Sequence, residues 1–263
     1  MLPGEHPIPG AAAVNEAAPA NTRVVNSGLT GRRALIIGGA GALGGAIAAA
    51  YRAAHANVVI ADRAVSPDDA QALRLDVRDP NQFTPTFEDA ARLLGGPIEI
   101  LVYSAGTIDR SPTSTMSLDQ WQNMLQVHLT GAFLACQQVI PAMVQARWGR
   151  IILIGSNLGS KGMAEHAHYS AAKAGVIGLV KSLARELAPS NVLVNAIAPG
   201  PFESAMVQGL SSAERTANEA AMPIGRFGLA AEIAPTAVLL ASDPGGNLYV
   251  GQTLGPNCGD VMV

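Results

Sequence analysis

One stretch limits what this chain can fold into more than any other. The apolar Arg33-Ala34-Leu35-Ile36-Ile37 reads as a buried strand, and Ala46-Ile47-Ala48-Ala49-Ala50-Tyr51 has strong helix propensity. Between them lies Gly38-Gly39-Ala40-Gly41-Ala42-Leu43-Gly44. Strand, glycine turn and helix in that order let backbone N–H groups approach a pyrophosphate, and the helix N-terminus adds partial positive charge. A second apolar run, Asn57-Val58-Val59-Ile60-Ala61, ends in Asp62. An acid about 20 residues past such a loop is placed to accept from ribose hydroxyls and to repel a 2′-phosphate. NAD is therefore expected over NADP, although the neighbouring Arg63 works in the opposite direction.

A second constellation points to chemistry. Tyr169 and Lys173 are spaced i, i+4, on one face of a helix. A lysine cation near a phenol favours the phenolate, lowering such an acid's pKa by roughly 1–3 units from about 10. That moves Tyr169 towards the range useful for general acid/base work. Ser156 follows the apolar run Ile151-Ile152-Leu153-Ile154-Gly155, and its hydroxyl can hold a substrate oxygen while Tyr169 moves a proton.

Taken with their order, these motifs resemble the short-chain dehydrogenase/reductase family from roughly Gly31 to the C-terminus. The family's T-G-x-x-x-G-x-G is matched by Ile37 to Gly44, with Ile37 for threonine and Ala42 for the middle glycine. The resemblance implies that Gly38, Gly41, Ala42, Leu43 and Gly44 cradle the cofactor, with Asp62 and Arg63 at its ribose. Asp76-Val77 resembles the adenine-contacting pair, and Tyr103-Ser104-Ala105-Gly106 stands where the family has Asn-Asn-Ala-Gly. Ala198-Pro199-Gly200 resembles the turn facing the nicotinamide, with Phe202 and Ser204 following. Tyr169 and Lys173 also contact the cofactor by this resemblance. The family's catalytic set is Asn-Ser-Tyr-Lys, and in Val127-His128-Leu129-Thr130-Gly131 a histidine replaces the asparagine. His128 is expected to keep a proton relay, as a neutral donor/acceptor or as a proton source near pH 6.5.

The resemblance implies a hydride transfer between NAD(H) and a secondary alcohol or ketone. Tyr169 is the acid/base, Ser156 orients the substrate oxygen, and Lys173 lowers the tyrosine pKa. The pattern is similar to 3-oxoacyl-thioester reductases, and Asp62 with a short second crossover is similar to NAD-dependent dehydrogenases of cyclic diols and hydroxy acids. Two alternatives stay open. The altered positions Ile37, Tyr103, Ser104 and His128 fit a nucleotide-binding sensor or scaffold, and related folds also perform epimerisation or imine reduction. Family members assemble as homotetramers or homodimers through the helices near 117–146 and 168–188.

Alternating apolar strands and helices predict a single-domain α/β fold, a Rossmann-type doubly wound parallel sheet of about seven strands with helices on both faces. Strands are expected near 33–38, 57–62, 72–76, 98–104, 150–156, 191–197 and 248–254. Helices are expected near 42–54, 82–94, 117–129, 131–146, 168–188, 203–220 and 230–241. Only nine residues, Arg63–Gln71, separate the second and third strands. Ser66-Pro67-Asp68-Asp69 has the form of a helix start, so one to two turns are expected there. Residues 28–263 form the catalytic domain, and the proline- and alanine-rich 1–27 reads as a poorly ordered arm.

The chain's net charge is −3, and 14% of its residues are charged. No basic surface invites nucleic acid or an anionic membrane. No unbroken apolar run reaches about 18–20 residues, so no membrane span is expected. Cys136 and Cys258 lack motif spacing, and no metal site is expected, since His166 and His168 at i, i+2 face apart. A cytoplasmic location is expected. The substrate site should be walled by 157–168, with Lys161, Glu165, His166 and His168, and covered by a lid at 201–222, with Phe202, Met206, Leu210 and Met222. The C-terminal 259–263 is expected to reach a neighbouring subunit.

Overall fold

The computed structural model describes residues 27–66, 68–204, 207, 209 and 211–262. The arm at 1–27, apart from Ser27, lies outside the described residues, as do Pro67, Met206 and Leu210.

Seven parallel strands form one sheet in the order β3-β2-β1-β4-β5-β6-β7. They are β1 (Arg33–Ile37), β2 (Asn57–Asp62), β3 (Ala72–Arg74), β4 (Ile100–Tyr103), β5 (Gly149–Ile154), β6 (Val192–Ile197) and β7 (Thr253–Leu254). Strands β4, β5 and β6 are buried along their whole length, as a sheet covered on both faces requires. Alternate residues of β1 serve opposite cores. Leu35 and Ile37 pack with Val59, Phe87, Ala132 and Val176, whereas Ala34 and Ile36 pack with Ile47, Tyr51, Ile233 and Leu240. The first core is roofed by α2 (Phe83–Leu94), α4 (Gly131–Ala146) and α6 (Ala167–Leu187). The second is roofed by α1 (Ala42–Ala53) and α8 (Ala230–Ala241).

Strand order reverses direction between β1 and β4, which opens a crevice at the carboxyl ends of the strands. The glycine turn after β1 and the loop after β4 flank that crevice.

Four elements depart from the expected boundaries. Between β2 and β3 the described residues form turns instead of a helix. Ser66 Oγ and Asp69 Oδ1 accept from Asp68 N and Gln71 N, so the side chains compete with helical pairing. The helix expected at 203–220 starts only at Ser212, where Ser211 and Glu214 form a reciprocal cap, and runs as α7 (Ser212–Ala221). The last strand shrinks to two residues, because the chain turns through Gly246 and Tyr249 and pairs in strand register with β6 only at Thr253 and Leu254. The helices expected at 117–129 and 131–146 are one continuous element, α3 (Leu118–Leu125) joined to α4 through a widened π turn at Gln126–Thr130. This 29-residue helix has the length and mean hydropathy of a membrane span, yet Met124, Ala132, Ala135, Val139 and Met143 along it are core residues of this domain.

Candidate active site

The glycine turn is built for close approach. Gly38 has φ +80°, and a Cβ there would lie 2.4 Å from Ala105 N; one at Gly44 would lie 2.1 Å from Gly38 O. Only glycine fits either position. Helix α1 begins at Gly41 with no side-chain cap, so its first N–H groups are left for an anion in the cleft.

At the next strand end, Asp62 accepts from Ala40 N at 3.2 Å and Ala64 N at 3.0 Å, which fixes its carboxylate beside the turn. Asp76 is tied to the Arg78 guanidinium by three contacts of 2.5–3.2 Å, and this partner holds its carboxyl down at about 2. One cleft of about 300 Å³ is lined by every residue expected at the cofactor: Gly38, Gly41, Ala42, Leu43, Gly44, Asp62, Arg63, Asp76, Val77, Ser104, Ala105, Gly106, Tyr169, Lys173, Pro199, Gly200 and Phe202. The glycine cradle, the uncapped helix start and the carboxylate at the second strand end are a donor and acceptor set that fits a dinucleotide.

The same cleft holds Ser156, His128, Tyr169 and Lys173. Ser156 sits just beyond β5. Its Oγ donates to Asn157 Oδ1 at 3.1 Å and accepts from Leu158 N at 3.1 Å. Lys173 is buried in α6, donates to Ile154 O at 2.7 Å, and lies 5.7 Å from the Tyr169 ring centroid. Burial brings its pKa down from 10.5 to about 7.

The expected depression of Tyr169 is absent. Burial pushes its hydroxyl above 10, and only the Ser156 hydroxyl works in the other direction. The physical reason is desolvation, which disfavours a phenolate and an ammonium alike.

Of the two expected protonation states, His128 is in the neutral donor/acceptor one and is not a proton source near pH 6.5. It is buried in the π turn, where desolvation first and Lys173 second drive its pKa well below 6.5. It is therefore neutral and supplies no cation. Its Nε2 lies 2.7 Å from Thr107 O and 3.2 Å from Thr107 N; the shorter contact assigns the ring proton to Nε2. Nδ1 is then a bare acceptor, buried without a partner among the described residues. The ring meets Tyr169 edge-on, with centroids 5.1 Å apart at 83°.

Several residues of the site carry no local signal. Asn123 and Thr107 line the cleft from α3 and from the loop after β4, and Arg78 lines the adenosine end. Asp260 bonds Asn157 and Lys161 of its own chain, the latter at 2.5 and 2.6 Å. Within the chain, Asp260 thus ties the C-terminal segment to the loop after β5. His168 pairs with Asp109 at 2.8 Å and His166 with Ala164 O at 2.8 Å, so both anchor loops. Only the regular Asp-x-Arg spacing of Asp76 and Arg78 could have been noticed beforehand.

The match to the short chain dehydrogenase family model spans residues 32–215. The chain is also 38% identical to the 3-oxoacyl-[acyl-carrier-protein] reductase FabG of Escherichia coli over 244 residues, covering 89% of this chain and 98% of that one. The reductase of the same name from Aquifex aeolicus is 36% identical, over 82% of this chain and 92% of its own. Nodulation protein G of Rhizobium meliloti is 35% identical, over 89% and 99%. With a parallel seven-stranded sheet, a cleft that fits a nicotinamide dinucleotide, and these matches, the chain belongs to the short-chain dehydrogenase family and is an oxidoreductase.

Proposed function

We propose that the chain transfers hydride between NAD(H) and a secondary alcohol or ketone, with a 3-oxoacyl thioester as the first carbonyl class to test. The observation that carries this reading is the convergence of Ser156, Tyr169 and Lys173 on the cleft that holds the glycine cradle. The nicotinamide, when bound, supplies the hydride chemistry. The chain's residues orient the reactants and handle the proton. Tyr169 gives its hydroxyl proton to the oxygen in reduction and takes it back in oxidation. Ser156 rotates its hydroxyl from Asn157 to the substrate oxygen as charge develops there. Lys173, in its cationic form, favours the tyrosinate left after proton donation.

NAD preference is supported by the Asp62 carboxylate, which would face a 2′-phosphate. Arg63 and Arg78 lie at the same end, but Arg78 is paired with Asp76. The relatives named as 3-oxoacyl reductases favour a β-ketone on a thioester. Assembly as a homotetramer through α3–α4 and α6 is part of the proposal, supported by Leu118 and Phe133, which are 66% and 43% exposed.

Fluorescence titration with NADH and NADPH, followed by a panel of 3-oxoacyl thioesters and cyclic ketones, tests the reading. Tighter NADH binding with oxidation by a panel ketone is expected. Binding of either cofactor with no turnover on any ketone or alcohol would favour the sensor alternative.

A further inference from the structure

Tyr103 and His128 look like two separate departures from the family pattern, but the fold joins them. Tyr103 is the buried last residue of β4, and its hydroxyl donates to Val127 O at 2.6 Å. Val127 precedes His128 inside the π turn. Gly131 closes that turn, and a Cβ there would lie 2.2 Å from the Tyr103 hydroxyl. The hydroxyl therefore fits because position 131 has no side chain.

The segment that carries Tyr103 continues through Gly106 and Thr107, where the imidazole rests. A Cβ on Gly106 would lie 2.7 Å from His128 Cε1, and Thr107 O is 2.7 Å from Nε2. One short stretch thus grips the turn by its backbone at Val127 and the ring by its Nε2 edge. The ring also meets Tyr169 edge-on.

We propose that Tyr103 is a positioning residue for His128. Its hydroxyl holds the π turn at the setting that keeps the imidazole against Tyr169, with Nε2–H on Thr107 and Nδ1 presented as an acceptor. A π turn is intrinsically rare and weakly held, so a bond from outside the helix decides its setting. Tyr103, His128, Gly106 and Gly131 then form one unit, and two of the four substitutions that suggested a disabled enzyme, Tyr103 and His128, become a consistent alternative build. The catalytic part of this inference rests on Tyr169 being the acid/base; the geometric part does not.

The test compares wild type, Tyr103→Phe, His128→Asn and the double variant. Tyr103→Phe deletes one hydroxyl and keeps the ring. It is expected to shift the His128 imidazole ¹⁵N signals, which are identified by their absence from His128→Asn. It is also expected to lower kcat roughly five- to tenfold with KM within about twofold, as loss of one hydrogen bond would. In the His128→Asn background the same change should cost less than about twofold, because the group it positions is gone. Unmoved ring signals, or equal kcat losses in both backgrounds, would overturn the proposal, the second by marking Tyr103 as ordinary core. If Tyr103→Phe does not fold, Gly131→Ala displaces the hydroxyl from the opposite side and is read in the same way. If wild type shows no turnover, the function proposed above fails while the imidazole signals still decide the positioning role.

Discussion

Lys173 sets activity against stability, and its replacement by methionine measures the conflict. Methionine is similar in length and leaves the helix intact. In the folded chain, burial lowers the lysine pKa from 10.5 to about 7. The unfolded chain therefore binds more protons between those values, and stability rises with pH across that window. At pH 8 folding must strip a proton from a group 2.5 pH steps above that pH, which costs about 3 kcal/mol at ~1.36 kcal/mol per step. Against this, methionine leaves Ile154 O without the donor it has at 2.7 Å, a loss of about 1–3 kcal/mol. Lys173→Met should thus be more stable than wild type by about 1 kcal/mol at pH 8 and by more at pH 7, and less stable near pH 10. Urea unfolding of both proteins at several pH values between 7 and 10 reads the difference directly, since every other shared group cancels to first order. A stability difference that does not change with pH would refute the buried, proton-shedding lysine. So would a wild type that gains on the variant as pH falls.

Ser156→Ala should lower kcat roughly a hundredfold, the scale of one lost oxyanion donor, with cofactor affinity unchanged by titration. Asp62→Ser should reduce the preference for NADH over NADPH by roughly tenfold or more, by removing the charge that faces a 2′-phosphate; binding titrations with both cofactors check it. Ketone reduction should slow as pH rises through about 7, where Lys173 loses its proton. His128→Asn should leave that limb in place, because burial keeps His128 neutral there; a limb that disappears would restore His128 as a titrating group.

What could be read beforehand was whatever sits on regular periodicity. The Gly38–Gly44 turn and the Asp62 strand end follow from sequential order, and Tyr169 with Lys173 follows from one helical turn. All of them line one cleft. What escaped was set by contacts between distant segments. The π turn that merges α3 with α4 takes a hydrogen bond from Tyr103 of β4, and Asp260 reaches Asn157 across about a hundred residues of sequence. The expected helix after β2 was lost to Ser66 and Asp69, whose side chains accept from the backbone N–H groups two residues on. The sign of the Tyr169 shift was also out of reach. A nearby lysine can be inferred from spacing, but the burial that raises the tyrosine pKa belongs to the folded domain.

The most direct test of the account follows deuterium from [4,4-²H₂]NADH into the product alcohol, for wild type and Tyr169→Phe, after both are shown to bind NADH. Label in the product of the wild type, and its loss with unchanged NADH binding in Tyr169→Phe, is the predicted result. Equal label from the two proteins would remove Tyr169 as the proton donor, and label from neither, with NADH bound, would contradict hydride transfer to these ketones altogether.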